Sequence, residues 1–153
     1  MTSTLPIMPP TTFRSQTPSP NTVTATVPVG NYPFGVAYDS ANNDIYVTNQ
    51  PSGDVSVING STNTVTATVP VGDYPFGVAY DSANNDIYVT NQISGDVSVI
   101  NGSTNTVTAT VPVGNYPEGV AYDSANNDIY VTNVGSNDVS VINGSTNTVT
   151  ATV

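Results

Sequence analysis

The sequence contains no cysteine, histidine or tryptophan among its 153 residues, and its only basic residue is Arg14. Without a thiol, an imidazole or a lysine amine, the chain lacks the commonest nucleophiles and bases and any His/Cys metal site. No run approaches the ~20 apolar residues of a membrane span. The formal net charge of −10 would repel nucleic acid and anionic lipid. We therefore expect no enzyme activity, no nucleic-acid partner and no membrane insertion.

The first twenty residues differ in composition from the rest of the chain. They hold five of the twelve prolines among many Ser and Thr residues, without the apolar segment or charged flank of a secretory signal. This composition predicts that residues 1–20 form a flexible, solvated N-terminal segment. Residues 21–153 are then the folded repeat domain.

The repeat domain has a period of 42 residues. Its units are 21–62, 63–104 and 105–146, and residues 147–153 begin a further unit. Sequence periods of this length are typical of solenoids and propellers. Each unit contains four short runs of β-branched and aromatic residues separated by Gly, Pro, Asn and Asp, and no run has a helical period.

These runs predict four antiparallel strands per unit. In the first unit they are 35–39, 44–49, 54–59 and 64–71, and residues 22–29 are a leading copy of the fourth strand. A four-stranded meander of this length is the blade of a β-propeller. The predicted fold is therefore all-β, with three blades and an incomplete ring unless the protein is oligomeric or part of a longer chain.

The residues that carry these strands also resemble a known family. YPFGVAYDSANNDIYVTN at 32–49 and DVSVINGSTNTV at 54–65 are similar to the YVTN-family β-propeller repeat of surface-layer and other cell-surface proteins. The resemblance covers residues 21–153 and implies a non-catalytic extracellular structural or adhesive protein. The chain departs from the family in lacking a secretion signal and in having three blades instead of about seven.

An incomplete ring leaves two apolar blade flanks uncovered, and exposed apolar patches of that size mark interaction sites. We expect either association with other copies, by blade completion or by donation of strand 22–29, or a larger surface-layer protein of which this chain is a fragment. A glycan- or protein-binding module of the lectin type is the alternative function. Partners would be other copies, surface proteins or glycans.

All differences between the units fall in two turns, at 28–34 and 49–54, which share one face of the meander. Variation confined to one face is expected of a partner-binding surface, and also of loops that tolerate change. The phenylalanines fit packing between blades equally well. The candidate binding residues are Asn31, Phe34, Gln50, Asp73, Phe76, Gln92, Asn115, Glu118 and Asn137.

The opposite face carries three Asn-Gly-Ser sequences, which match the N-glycosylation sequon. Their asparagines are Asn59, Asn101 and Asn143. Asn-Gly is also a favoured turn dipeptide, so we predict glycosylation only if a glycosylating cell secretes the protein.

Calcium is the one metal that the sequence suggests. The DSANND loops at 39–44, 81–86 and 123–128 gather oxygen ligands, but they lack the ligand spacing of an EF-hand. Asp and Asn are ordinary turn formers, which favours turn chemistry over calcium. No other cofactor is predicted.

Overall fold

A computed structural model describes residues 21–153, and the N-terminal segment predicted at 1–20 lies outside the described residues. The described part of the chain contains twelve β-strands and no helix that could cross a membrane. The strands are β1 (Pro33–Asp39), β2 (Asp44–Asn49), β3 (Asp54–Asn59), β4 (Thr64–Pro70), β5 (Pro75–Asp81), β6 (Asp86–Asn91), β7 (Asp96–Asn101), β8 (Thr106–Pro112), β9 (Pro117–Asp123), β10 (Asp128–Asn133), β11 (Asp138–Asn143) and β12 (Thr148–Thr152).

The strands form three separate four-stranded antiparallel sheets. Their orders are β1–β2–β3–β4, β5–β6–β7–β8 and β9–β10–β11–β12. We call the sheets blade 1, blade 2 and blade 3. The first strands of the three blades pack against one another on the inside, and the fourth strands lie at the rim. The predicted all-β fold with three blades and an unclosed ring is confirmed.

The leading strand predicted at 22–29 is wrong. Residues 21–29 have no strand structure, and residues 21–26 are exposed. A strand requires a hydrogen-bonded neighbour, and the third strand of each blade is already paired on its outer side by that blade's own fourth strand. Donation of this segment to another copy would therefore displace a strand that is already in place.

Each blade is apolar on both faces, as the lack of a polar stripe on the first three strands predicts. We call the face turned toward the following blade the front face and the other the back face. The front face of blade 1, with Tyr46, Val55 and Val57, packs on the back face of blade 2, with Ile87 and Val89. Blades 2 and 3 form the same kind of core from the equivalent residues.

A bulge shapes the first strand of each blade. In blade 1, Pro33 is opposite Asn49 and Val36 is opposite Val47, so Phe34 and Gly35 together oppose a single residue. A bulge bends the strand and redirects the extra side chain. The bulge turns the side chain of position 34 and its copies toward the inner side of the arc, where the rings of Phe34 and Phe76 from neighbouring blades lie 4.0 Å apart.

The DSANND loops form side-chain-stabilised turns. Asp39 Oδ1 accepts hydrogen bonds from the amides of Ala41 at 2.8 Å and Asn42 at 3.2 Å. Asn43 closes the turn in the left-handed region, with φ of 57°, which asparagine tolerates. Within residues 21–153, no three His, Cys, Asp or Glu side chains come together as a metal site would require. Turn formation without a metal stays the prediction for these loops, and calcium binding stays its alternative.

The DSANND turn of blade 2 makes the stability of the protein depend on pH. Asp81 and Asp86 are cross-strand partners, and burial, followed by the neighbouring Asp81 carboxylate, raises the pKa of Asp86 above its ordinary value of 3.8. The folded protein then holds this proton to higher pH than the unfolded chain. The raised pKa of Asp86 therefore contributes stability that is fully present below pH 3.8. This contribution is lost as the pH rises through the raised pKa.

We therefore expect Asp86→Asn to flatten the loss of stability between acidic and neutral pH, measured as the urea midpoint across a pH series. Asp128→Asn is the matched control at the same place in blade 3, where no further blade covers the turn in the described residues. If the urea midpoint changes equally with pH in the parent protein and in Asp86→Asn, the expectation is contradicted.

Candidate functional site

The two variable turns of each repeat are joined by hydrogen bonds. The Gln92 amide donates to the Tyr74 carbonyl at 3.0 Å, and the Val134 amide donates to the Tyr116 carbonyl at 3.0 Å. Tyr74 and Tyr116 adopt φ of 60° and 52°, a left-handed conformation that is unusual for a bulky residue. The structure therefore confirms that both variable turns lie on one face, and it shows backbone strain there.

A cavity opens where the first strands of the three blades meet. Its volume is about 510 Å³. We call it the axial cavity, and it is lined by Phe34, Gly35, Val36, Phe76, Gly77, Val78, Glu118, Gly119, Val120 and Thr132. The bulge in each first strand brings the side chains of positions 34, 76 and 118 to this one cavity.

Two side-chain pairs characterise the axial cavity. The rings of Phe34 and Phe76 form a tilted pair with centroids 4.0 Å apart, and Phe34 is 58% exposed. Glu118 replaces the third phenylalanine, and its Oε1 accepts a hydrogen bond of 2.6 Å from Gln92 Nε2. The cavity therefore combines an aromatic surface with a carboxylate.

The structure separates the other predicted binding residues from this cavity. Asn115 and Gln92 line a second cavity of about 700 Å³ between neighbouring variable turns. Asn137 lines a shallow depression of about 310 Å³ beside the end of the chain. The candidate residues that do not line the axial cavity are Asn31, Gln50, Asp73, Gln92, Asn115 and Asn137.

The joint between blades is the other site, and it rests on two residues of the Tyr-Val-Thr-Asn run. Tyr88 Oη donates to Asn147 Oδ1 of the next blade at 2.6 Å. Thr90 Oγ1 accepts from the Gly77 amide at 2.8 Å and donates to the Glu118 carbonyl at 2.8 Å. Each joint thus adds directional hydrogen bonds to its apolar core.

Sequence reasoning did not select either the tyrosine or the threonine as a residue that joins the blades. The available signal is the alternation within a strand, which puts the tyrosine and the threonine of this run on the same face. Burial, followed by the nearby Asp81 and Asp86 carboxylates, raises the pKa of Tyr88 well above its ordinary range. The hydroxyl therefore stays protonated and keeps its role as a donor.

The asparagine of the same run is buried in every blade. Asn91 Nδ2 donates to Asp96 Oδ1 at 2.7 Å and to Ser98 Oγ at 2.9 Å, whereas its Oδ1 has no hydrogen-bond partner in the described residues. Asn49 and Asn133 show the same pattern. Because it recurs in each blade, this arrangement belongs to the repeat and does not mark a particular site.

The Asn-Gly-Ser turns lie on the opposite face, as predicted. Asn59 Oδ1 accepts from the amides of Ser61 at 3.0 Å and Thr62 at 3.1 Å, which fixes the turn. The equivalent asparagines, Asn101 and Asn143, make the same bonds. Glycosylation of the three asparagines stays a prediction.

Comparisons with known proteins agree with this architecture. The family model described as NHL repeat matches residues 115–142. No curated protein gives a significant sequence match. The computed structure is similar to solved structures that contain propeller-type folds. The chain is a β-propeller repeat protein.

Three of the similar solved structures are described by their sequence identity, TM-score and coverage. Kuenenia stuttgartiensis hydrazine synthase is 23% identical with a TM-score of 0.74 over 86% of this chain and 38% of that chain. Apo AztD from Citrobacter koseri is 14% identical with a TM-score of 0.65 over 77% and 33%. U3-55K is 12% identical with a TM-score of 0.71 over 79% and 38%. This propeller therefore spans about a third of the length of each, and the likeness concerns the fold alone.

Proposed function

We propose that this propeller is a non-catalytic structural or adhesive protein of the cell surface, whose open arc is completed by the blades of another copy. The resemblance of its repeats to the YVTN family supports the location and the role. The observation that carries the proposal is the pair of open blade faces in residues 21–153.

The two open faces have the composition of buried ones. On the back face of blade 1, Val36 is 68% exposed and Tyr38 is 54% exposed. On the front face of blade 3, Tyr130 is 37% exposed, although its equivalent Tyr88 is fully buried. Covering a side chain of the size of valine contributes roughly 1.5–3 kcal/mol. Both faces therefore gain stability from a partner.

A blade of the same sequence is the partner that fits. The front face of blade 3 repeats the front faces of blades 1 and 2, and the back face of blade 1 repeats those of blades 2 and 3. The same joint already forms twice within the chain. A second copy placed in the same way extends an existing interface and requires no new surface.

The polar groups of the open faces support the same arrangement. Thr132 Oγ1 accepts from the Gly119 amide at 2.9 Å and makes a long bond of 3.5 Å to the Gly119 carbonyl, and the described residues include no following blade to accept from it. By the pattern of the two internal joints, Thr132 would donate to the Phe34 carbonyl of a second copy. Tyr130 would likewise donate to Asn63 of that copy. Because the two contacting faces differ, the contact closes a ring or extends into a filament.

Light scattering after size exclusion tests the proposal. We expect the parent protein to have a mass of at least twice 15.8 kDa. Val36→Asp and Tyr130→Asp each place a charge in the joint and should give single copies. Thr110→Asp, on the exposed rim of blade 2, is the control and should assemble like the parent.

Mixing the two single-copy variants distinguishes this joint from other modes of association. Val36→Asp keeps an intact front face on blade 3, and Tyr130→Asp keeps an intact back face on blade 1. The mixture should therefore form a complex of two chains, which neither variant forms alone. A single-copy parent protein, or a mixture without complexes, would refute the proposal.

A further inference from the structure

We propose that the axial cavity binds a guanidinium group, such as that of an arginine side chain, between the Phe34–Phe76 ring pair and the Glu118 carboxylate. This site lies inside one chain, so the inference does not depend on assembly. It adds a ligand class to a surface for which the sequence indicates only contact with some partner.

Charge favours a cation. Residues 21–153 contain neither lysine nor arginine, so no side chain of the propeller can neutralise Glu118. Its Oε1 is held by Gln92 at 2.6 Å, which fixes the carboxylate at the cavity without cancelling its charge. A carboxylate held in this way attracts a positively charged ligand.

The neighbouring rings select among cations. The faces of aromatic rings attract a cation within about 6 Å. A guanidinium group is flat, stacks on a ring and donates two parallel hydrogen bonds to a carboxylate, whereas an alkylammonium group is a compact point charge. The volume of about 510 Å³ leaves room for a guanidinium group together with the chain that carries it. The half-exposed ring of Phe34 leaves the site open to solvent.

The main-chain bond of the joint is the same whether position 76 or its copy carries phenylalanine or glutamate. The joint between blades 2 and 3 uses the main-chain carbonyl of Glu118, which accepts from Thr90 at 2.8 Å, as well as the side-chain bond from Gln92. The Phe76 carbonyl accepts from Thr48 at the same distance in the preceding joint. Glutamate in place of phenylalanine therefore keeps the main-chain bond of the joint, exchanges a ring contact for the bond from Gln92, and gives the cavity a carboxylate.

Titration of the isotope-labelled protein with L-argininamide, followed by NMR, tests the inference. We expect the amide signals of Gly77 and Gly119 to shift during the titration. Because only a few favourable contacts are available, the dissociation constant should be on the order of millimolar. L-citrullinamide has nearly the same shape and the same α-amino group but a neutral ureido group in place of the guanidinium, and it should bind at least about tenfold more weakly.

Variants separate this site from non-specific attraction to an acidic protein. Glu118→Gln and Glu118→Phe, the second of which restores the residue of the other repeats, should each weaken argininamide binding about tenfold or more. Asp73→Asn removes one charge and restores the residue of the other two repeats, away from the cavity, so binding should be unchanged.

Repeating the titration in the Tyr130→Asp background shows whether argininamide binding depends on assembly. Equal binding of argininamide and citrullinamide, unchanged binding by Glu118→Gln, or no shift of the cavity signals would each overturn the inference.

Discussion

Replacing Tyr88 by alanine is expected to lower the free energy of unfolding by about 4 kcal/mol, whereas the same change at Tyr130 should cost roughly 1–2 kcal/mol. The two tyrosines occupy the same place in identical strands. They differ in that Tyr88 is fully buried in the joint with blade 3, whereas Tyr130 is 37% exposed on an open face.

The large cost at Tyr88 has two sources. Removing a fully buried aromatic ring leaves a cavity between two blades, which cannot collapse without moving a whole sheet. The change also removes the donor to Asn147, now 2.6 Å away, and leaves that amide oxygen without its partner. Neither loss applies to Tyr130 in a single copy.

Urea unfolding followed by far-ultraviolet circular dichroism measures both costs. Both alanine variants should be made in the Val36→Asp background, so that assembly does not contribute to the measured cost of the change at Tyr130. Equal losses at the two positions would show that the open face of blade 3 is as well covered as the joint, contrary to the structure.

Gly77→Ala is expected to destabilise the protein by about 3 kcal/mol, and Gly119→Ala by about 1 kcal/mol. A Cβ atom on Gly77 would clash with the main-chain oxygen of Glu118, because the two atoms would be closer than they can approach. On Gly119 the nearest atom is Oγ1 of Thr132 at 2.9 Å, in a side chain that can rotate. A backbone obstacle forces apart the inner strands of two blades, whereas a side-chain obstacle does not.

Gly119→Ala has a second expected effect that connects it with the proposed assembly. In a joint between copies, the Phe34 carbonyl would take the place beside Gly119 that the Glu118 carbonyl takes beside Gly77. The variant should therefore remain folded, as judged by circular dichroism, and be a single copy by light scattering. Equal destabilisation by Gly77→Ala and Gly119→Ala would contradict the expected difference in stability. Normal assembly of Gly119→Ala would contradict its expected single-copy state.

Parts of the candidate site could be predicted from the sequence. Variation between repeats selected Phe34, Phe76 and Glu118, and these residues share one cavity. It selected Asn31 and Asp73 equally, although they lie outside that cavity. Variation marks a loop as a whole, and only the bulge in each first strand directs particular side chains of it inward.

The residues that join the blades could not be found in this way. Tyr46 contacts Asn105, which is 59 residues away in the sequence. A local pattern gives the face on which a side chain lies, but not the element that covers that face. Because each blade is apolar on both sides, the pattern also could not show which side of a blade meets the next.

The repeat period and the alternation of apolar residues alone determined the strands, the turns and the number of blades, because strand and turn formation depend on neighbouring residues. Only the tertiary structure decided which faces are covered, where Phe34 and Glu118 lie, and that residues 22–29 form no strand within this chain. Those outcomes depend on partners distant in the sequence. A segment with every local feature of a strand remains unpaired where no neighbour is available to bond it.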